Sequence, residues 1–131
     1  MALICPNVAE VILLEYLLNK VAPTNVVLHL YKAIAHPESE DTVLSDLTEA
    51  TETGYGTKTL VGATWTISTV AGTTTATYPE QTFTFSEGSD IYGYYVTSNG
   101  NLLWLERFDG APFQLPDGGG TIAITPKIEL A

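Results

Sequence analysis

IYGYYVT at residues 91–97, SNGN at 98–101 and LLWLERF at 102–108 read as strand, tight turn and strand. The Asn99-Gly100 pair suits a primed hairpin turn, whose central residues need positive φ. DGAPFQLPDGGG (109–120) then reads as a loop and TIAITPKIEL (121–130) as a further strand. Leu102, Leu103, Trp104 and Leu105 are consecutive, which breaks the alternation of a half-buried strand. A strand apolar on both faces lies at the centre of a sheet or beneath a helix. The residues of this segment make packing surfaces, and it holds no His, Cys or Ser set arranged for a reaction.

Upstream the β signal continues through GYGTKTL, ATWTISTV and TTTATYPEQTFTF, rich in the Thr, Val, Ile and aromatic residues that suit a pleated surface. Trp65, Ile67 and Thr69 alternate, as do Phe83 and Phe85 against Thr82 and Thr84. Pro79 marks an edge, a bulge or a strand break. The first strand is NVVLHLYKA, residues 25–33, with His29 and Tyr31 on one face.

Ahead of it, Pro6 suits a helix start and Pro23 a helix stop, so a helix is expected from Asn7 to about Val21. Val8, Val11, Ile12, Leu13, Leu14, Tyr16, Leu17, Leu18 and Val21 spread over most of its circumference. Such a helix is covered on more than one side. Placed over LLWLERF, it would answer both anomalies at once. Residues 36–53 form an acidic loop carrying Glu38, Glu40, Asp41, Asp46, Glu49 and Glu52, with a short helical turn expected around Ser45–Ala50.

The expected architecture is mainly β: an antiparallel, jelly-roll-like β-sandwich of about seven or eight strands with one N-terminal α-helix packed on it. It forms one domain over residues 1–131, with a helix segment at 1–22 and the sandwich, including the acidic loop, at 25–131.

A net charge of −10, with only the scattered Lys20, Lys32, Lys58, Arg107 and Lys127 as cations, argues strongly against a nucleic-acid partner, because phosphate binding needs Lys and Arg to release counterions. Glu10, Glu15 and Lys20 interrupt the N-terminal apolar run, so neither a signal peptide nor a membrane span is expected. Cys5 is the single cysteine and forms no internal disulfide.

No catalytic residues, cofactor or metal site are expected. His29 sits in a strand and His36 precedes Pro37 in a turn, and neither has a nucleophile beside it in sequence. Cys5, at a helix start, is the position where a helix dipole would lower a thiol pKa. The acidic loop does not match the spacing of an EF-hand. Asp117–Gly120 lacks the GK[ST] ending of a phosphate loop. Glu106 and Arg107 read as a charge pair at a strand end. Tyr78, Tyr92, Tyr94 and Tyr95 read as core or subunit interface, with stacking on sugars as the alternative.

Gly54-Tyr55, Trp65, Tyr78 to Phe83, Ile91 to Tyr95 and Trp104 to Phe108, in this order after an apolar helix, resemble a group of small virion structural proteins of tailed bacteriophages. These are common among phages of aquatic hosts, cyanobacteria included. The likeness runs over nearly the whole chain and is carried by packing residues. It implies a capsid cement or decoration role, as a homotrimer bridging the major capsid protein on the virion surface after synthesis in the host cytoplasm. The alternative it implies is a tail or fibre module that binds host-surface glycan. Val8, Ile12, Leu13, Tyr16 and Leu17 of the helix and Glu38, Glu40, Asp41 and Asp46 of the acidic loop are the expected subunit and shell contacts, within a contact segment running from Met1 to Val21.

Overall fold

The computed structural model describes residues 3–130, so Met1 and Ala2 of the expected contact segment lie outside the described residues. The chain is mainly β, with antiparallel pairing and one α-helix. In order it forms α1 (Asn7–Leu17), β1 (Val26–Ile34), β2 (Leu47–Glu49), β3 (Lys58–Leu60), β4 (Thr66–Val70), β5 (Thr73–Thr77), β6 (Gln81–Phe85), β7 (Ser89–Ile91), β8 (Gly93–Ser98), β9 (Asn101–Arg107), β10 (Phe113–Leu115), β11 (Gly120–Ile124) and β12 (Lys127–Leu130).

The twelve strands exceed the seven or eight expected because runs that read as one strand divide between sheets. IYGYYVT breaks at Tyr92: β7 pairs with β10, while β8 lies between β1 and β9. TIAITPKIEL breaks at Pro126, which has no N–H for a ladder; β11 pairs with β6 and β12 with β5. The largest sheet runs β2-β1-β8-β9, with β3 sharing the outer edge of β1 beside β2.

The four consecutive apolar residues of β9 are explained by a bulge. Tyr95 faces Leu105 and Val96 faces Trp104, but Thr97 faces Leu102, so Leu103 is the extra residue. Leu103 and Trp104 join the main core with Leu28, Leu30, Tyr94 and Val96, packed against Phe83, Phe85, Ile122 and Ile124 of β6 and β11. Leu102 and Leu105 instead join Tyr31 and Tyr95 in a second core, which Ile4, Ile34, Leu44 and Leu47 help to cover. Full burial of such a side chain is worth about 1.5–3 kcal/mol, so both layers contribute heavily.

The helix lies against β9, as expected, with Ala9 fully buried and Ile12 packed on the main core. It stops at Leu17 rather than Val21. Asn19 takes a left-handed φ of 57°, and the N–H groups of Asn19 and Lys20 turn back onto the carbonyls of Tyr16 and Glu15. Just before the helix, Ile4 exchanges both backbone hydrogen bonds with Leu105, at 2.8 and 3.0 Å, and so covers the outer edge of β9.

β4 departs from its alternation. Trp65 packs edge-on against Tyr78 at the core margin, but Ile67, on the same side of the run, is 70% exposed. β4 is the edge of the three-stranded sheet β12-β5-β4 and every one of its residues is exposed.

Gly93 opens β8 where two chains approach closely: a Cβ there would run into the Glu106 carbonyl oxygen and the Tyr31 ring. Gly93→Ala is expected to destabilise the fold by about 3 kcal/mol through overpacking against backbone. Urea denaturation followed by Trp fluorescence measures this, and a loss under about 1 kcal/mol would contradict the packing described.

Candidate functional site

The most conspicuous surface is the outward side of α1. Val11 and Leu14 are each 57% exposed, Leu18 65% and Leu17 79%, with Val8 and Leu13 also exposed. A helix turned by 100° per residue cannot bury all of an apolar circumference on one strand, and β9 takes only the side bearing Ala9, Ile12 and Tyr16. Two clefts flank this surface. One, of about 390 Å³, lies between Val8, Val11 and Ile12 of the helix and Val43, Leu44 and Leu102. The other, of about 430 Å³, lies along Val11, Leu14, Glu15, Leu18 and Lys20. Large contiguous apolar patches mark contact sites in soluble proteins.

The acidic loop docks onto the start of the helix. The Asn7 N–H donates to the Glu40 carbonyl at 2.8 Å and the Asn7 side-chain amide to Asp41 at 3.1 Å. Negative charge there complements the helix dipole. The loop also carries fully buried Thr42, and Leu44 and Leu47 pack on the second core, so it is a packed layer rather than a solvated loop. Its expected helical turn is a single 3₁₀ turn at Leu44–Asp46 that passes directly into β2.

The expected contact residues therefore divide. Val8, Leu13, Leu17, Glu40 and Asp41 face outward. Ile12 packs inward, and Tyr16 donates to the Ser98 hydroxyl at 2.8 Å, so both serve the chain's own fold. The Glu38 side chain is only 3% exposed and accepts from the Tyr31 hydroxyl at 2.7 Å and from Arg107 at 3.2 Å. Asp46 accepts from the Val43 N–H at 2.8 Å and pairs with His36 at 2.9 Å.

Arg107 also lies over the Tyr92 ring, 5.1 Å from its centroid. The expected Glu106–Arg107 pair is thus not made: adjacent strand residues point to opposite faces, and Glu106 accepts instead from Tyr94 at 2.8 Å. Tyr78, Tyr94 and Tyr95 are buried, which removes them as exposed stacking platforms.

Electrostatics follow these contacts. Burial pushes the Glu38 carboxyl up, but hydrogen bonds from Tyr31, its own backbone and Arg107 outweigh this and hold it below the usual carboxylate range. Burial, reinforced by Glu38, pushes the Tyr31 hydroxyl far up, so it stays a donor. His36 has an acceptor at each ring nitrogen, the Pro37 carbonyl and Asp46, which raises its pKa. The Val43 N–H, then His36, lower that of Asp46. Cys5 is raised by burial and then by Glu10, the reverse of the lowering expected at a helix start.

One array has the order of a catalytic triad. His29 Nδ1 lies 2.8 Å from Glu49, and its Nε2 lies 2.9 Å from the Thr97 hydroxyl. The three residues come from β2, β1 and β8, side by side on one sheet face, with His29 stacked on Tyr95 at 4.5 Å. Tyr55 also donates to Glu49 at 2.7 Å while accepting from the Leu30 N–H. Thr97 is buried, and none of the principal clefts is lined by His29, Thr97 or Glu49. The array ties three strands together. Among the described residues no group of three or more His, Cys, Asp or Glu is placed to hold a metal ion, and no helix is long and apolar enough to cross a membrane.

No protein-family model, curated protein or solved structure matches this chain.

Glu38 gives a pH prediction. Its folded pKa is depressed, so its stabilisation is complete above the unfolded value near 4.5 and is lost as pH falls through the folded value. Glu38→Gln is expected to cost about 2 kcal/mol at pH 7 and to flatten the acid limb between pH 5 and 3, measured as urea midpoint against pH. Parallel acid limbs for the two proteins would contradict this assignment.

Proposed function

We propose that this chain is a non-enzymatic structural protein of a tailed-phage virion: a capsid cement protein that assembles as a homotrimer and bridges major capsid protein subunits on the head surface. The outward side of α1 carries this reading. It is an apolar surface supported by a packed domain and rimmed by Glu10, Glu15, Glu40 and Asp41, so it suits a partner presenting apolar side chains flanked by Lys or Arg.

A shell strained by packaged DNA is stabilised by anything that binds only its assembled form, and a protein lying across capsomer boundaries does this by burying surface on both neighbours. The packing of the main sheet against β6 and β11 supports the jelly-roll-like sandwich as the scaffold of such a protein. The commitment of His29, His36, Glu38 and Asp46 to internal contacts accords with a role without chemistry. Net charge of −10 keeps the protein from the packaged nucleic acid.

A second reading is favoured by one groove of about 650 Å³, whose lining includes Phe108, Glu106, Lys127 and Glu129. Its mixture of aromatic and carboxylate groups suits a glycan, as a tail-associated recognition module would require. Binding on a glycan array that Glu106→Ala abolishes would support this second role.

The test of the first reading uses Leu14→Glu with Leu17→Glu. Both positions are exposed, so folding should change by no more than about 0.5 kcal/mol per substitution. Binding to particles lacking the protein, followed by co-sedimentation, should weaken by about thirtyfold or more. Unchanged co-sedimentation of a correctly folded double variant would remove α1 as the docking surface.

A further inference from the structure

β4 combines an open backbone edge with an absence of the devices that close such edges. Sheet edges are ordinarily blunted by charge, proline, bulges, short strands or a covering segment. Several edges here are. β12 carries the Lys127–Glu129 ion pair, β9 is covered by Ile4, and β2, β3 and β10 are three residues long. β4 is five residues long, regular in its pairing with β5, and exposed throughout, with Ile67 at 70% and Val70 at 73%.

The charge distribution selects the occupant. Residues 59–79 contain no Asp, Glu, Lys or Arg, in a chain whose net charge is −10. Two copies of so acidic a chain repel one another wherever carboxylates face each other, and this neutral span is where they approach at least cost.

The hairpin turn then fixes the register. Ala71 and Gly72 both have positive φ, 50° and 84°, so the connection is a two-residue primed turn closed by the hydrogen-bonded pair Val70 and Thr73. Hydrogen-bonded and non-hydrogen-bonded pairs alternate along an antiparallel ladder. Ser68 and Thr66 therefore bond inward to β5, while the N–H and C=O of Ile67 and Thr69 point out of the sheet. An antiparallel strand centred opposite Ser68 meets all of these outward groups.

We propose that β4 pairs antiparallel with β4 of a second copy of this chain, about a two-fold axis at Ser68, so that two three-stranded sheets become one continuous sheet. Ile67 exchanges its N–H and C=O with Thr69 of the second copy, and the axis repeats the exchange. Thr66 then faces Val70 and Ile67 faces Thr69, which are favourable cross-strand pairs of β-branched side chains. Such a contact is isologous and separate from the α1 surface, so it would join neighbouring oligomers on a shell. The inference rests on the assembly reading only for that last consequence; pairing in solution is independent of any particle.

The register makes the test specific. Ser68 faces its own symmetry mate in a non-hydrogen-bonded pair, with Cα atoms about 4.5 Å apart, within the span of a disulfide. In a Cys5→Ser background, Ser68→Cys should oxidise mostly to covalent dimer on a non-reducing gel. Thr66→Cys and Val70→Cys, on the same face but opposite each other, should remain monomeric. Adding Thr69→Pro to Ser68→Cys removes an outward N–H without touching the β5 ladder and should abolish the dimer. Amide exchange supplies a readout without substitution, since the Ile67 and Thr69 N–H groups should become protected as concentration rises. Equal cross-linking at the three positions, or no protection of those two amides at high concentration, would overturn the proposal and leave the edge to a strand of another protein.

Discussion

The fold is governed by one constraint: β9 must be covered on both faces. Leu103 and Trp104 enter the main core and Leu102 and Leu105 the second one, and the bulge at Leu103 is what sends consecutive apolar residues in both directions. Each face requires its own cover. β6 and β11 supply one, and the segment around Ile4 together with the acidic loop supplies the other. The helix closes the exposed flank of β9, and its register there, set by Ala9, Ile12 and Tyr16, leaves the remaining apolar side chains outside. The outward apolar side of α1 thus arises from the same constraint as the core.

This explains which parts of the fold were legible in sequence. Asn99-Gly100, the start of the helix after Pro6 and the break near Pro79 are local signals, and each stands where local chemistry puts it. The double-sided character of LLWLERF pointed correctly to a strand beneath the helix. What could not be read was non-local. Nothing in IYGYYVT announces that Tyr92 separates two sheets, since that break follows from the partners β10 and β1. Arg107 finds Glu38 across 69 positions rather than its neighbour Glu106, because strand geometry turns adjacent side chains apart. The acidic loop is rich in carboxylates, yet it is ordered by Thr42, Leu44 and Leu47, whose burial no charge pattern reveals. Of the candidate site, the apolar excess of α1 was readable, whereas Ile12, Tyr16 and Glu38 turn inward and Asp46 is held at the surface by the Val43 N–H and His36.

The surface left over is unevenly made. One side offers apolar helix with an acidic rim and another an uncharged strand edge with outward backbone groups, while His29, Lys32, His36, Glu38 and Arg107 are engaged in bonds within the chain. Such a division suits a protein whose work is to be built into something larger. In the assembly proposed above, apolar area would supply binding free energy, backbone pairing register, and general acidity a bar to contacts elsewhere. The Tyr31–Glu38–Arg107 cluster fixes the acidic loop, and with it the cleft beside Val43 and Leu44.

If the chain has the cement role proposed above, its abundance in purified phage particles is the most direct measure of it. A protein that covers capsomer boundaries must be present in proportion to the shell, so quantitative mass spectrometry against the major capsid protein should give a ratio on the order of one to one. A few copies per particle, or none, would contradict a shell-covering role.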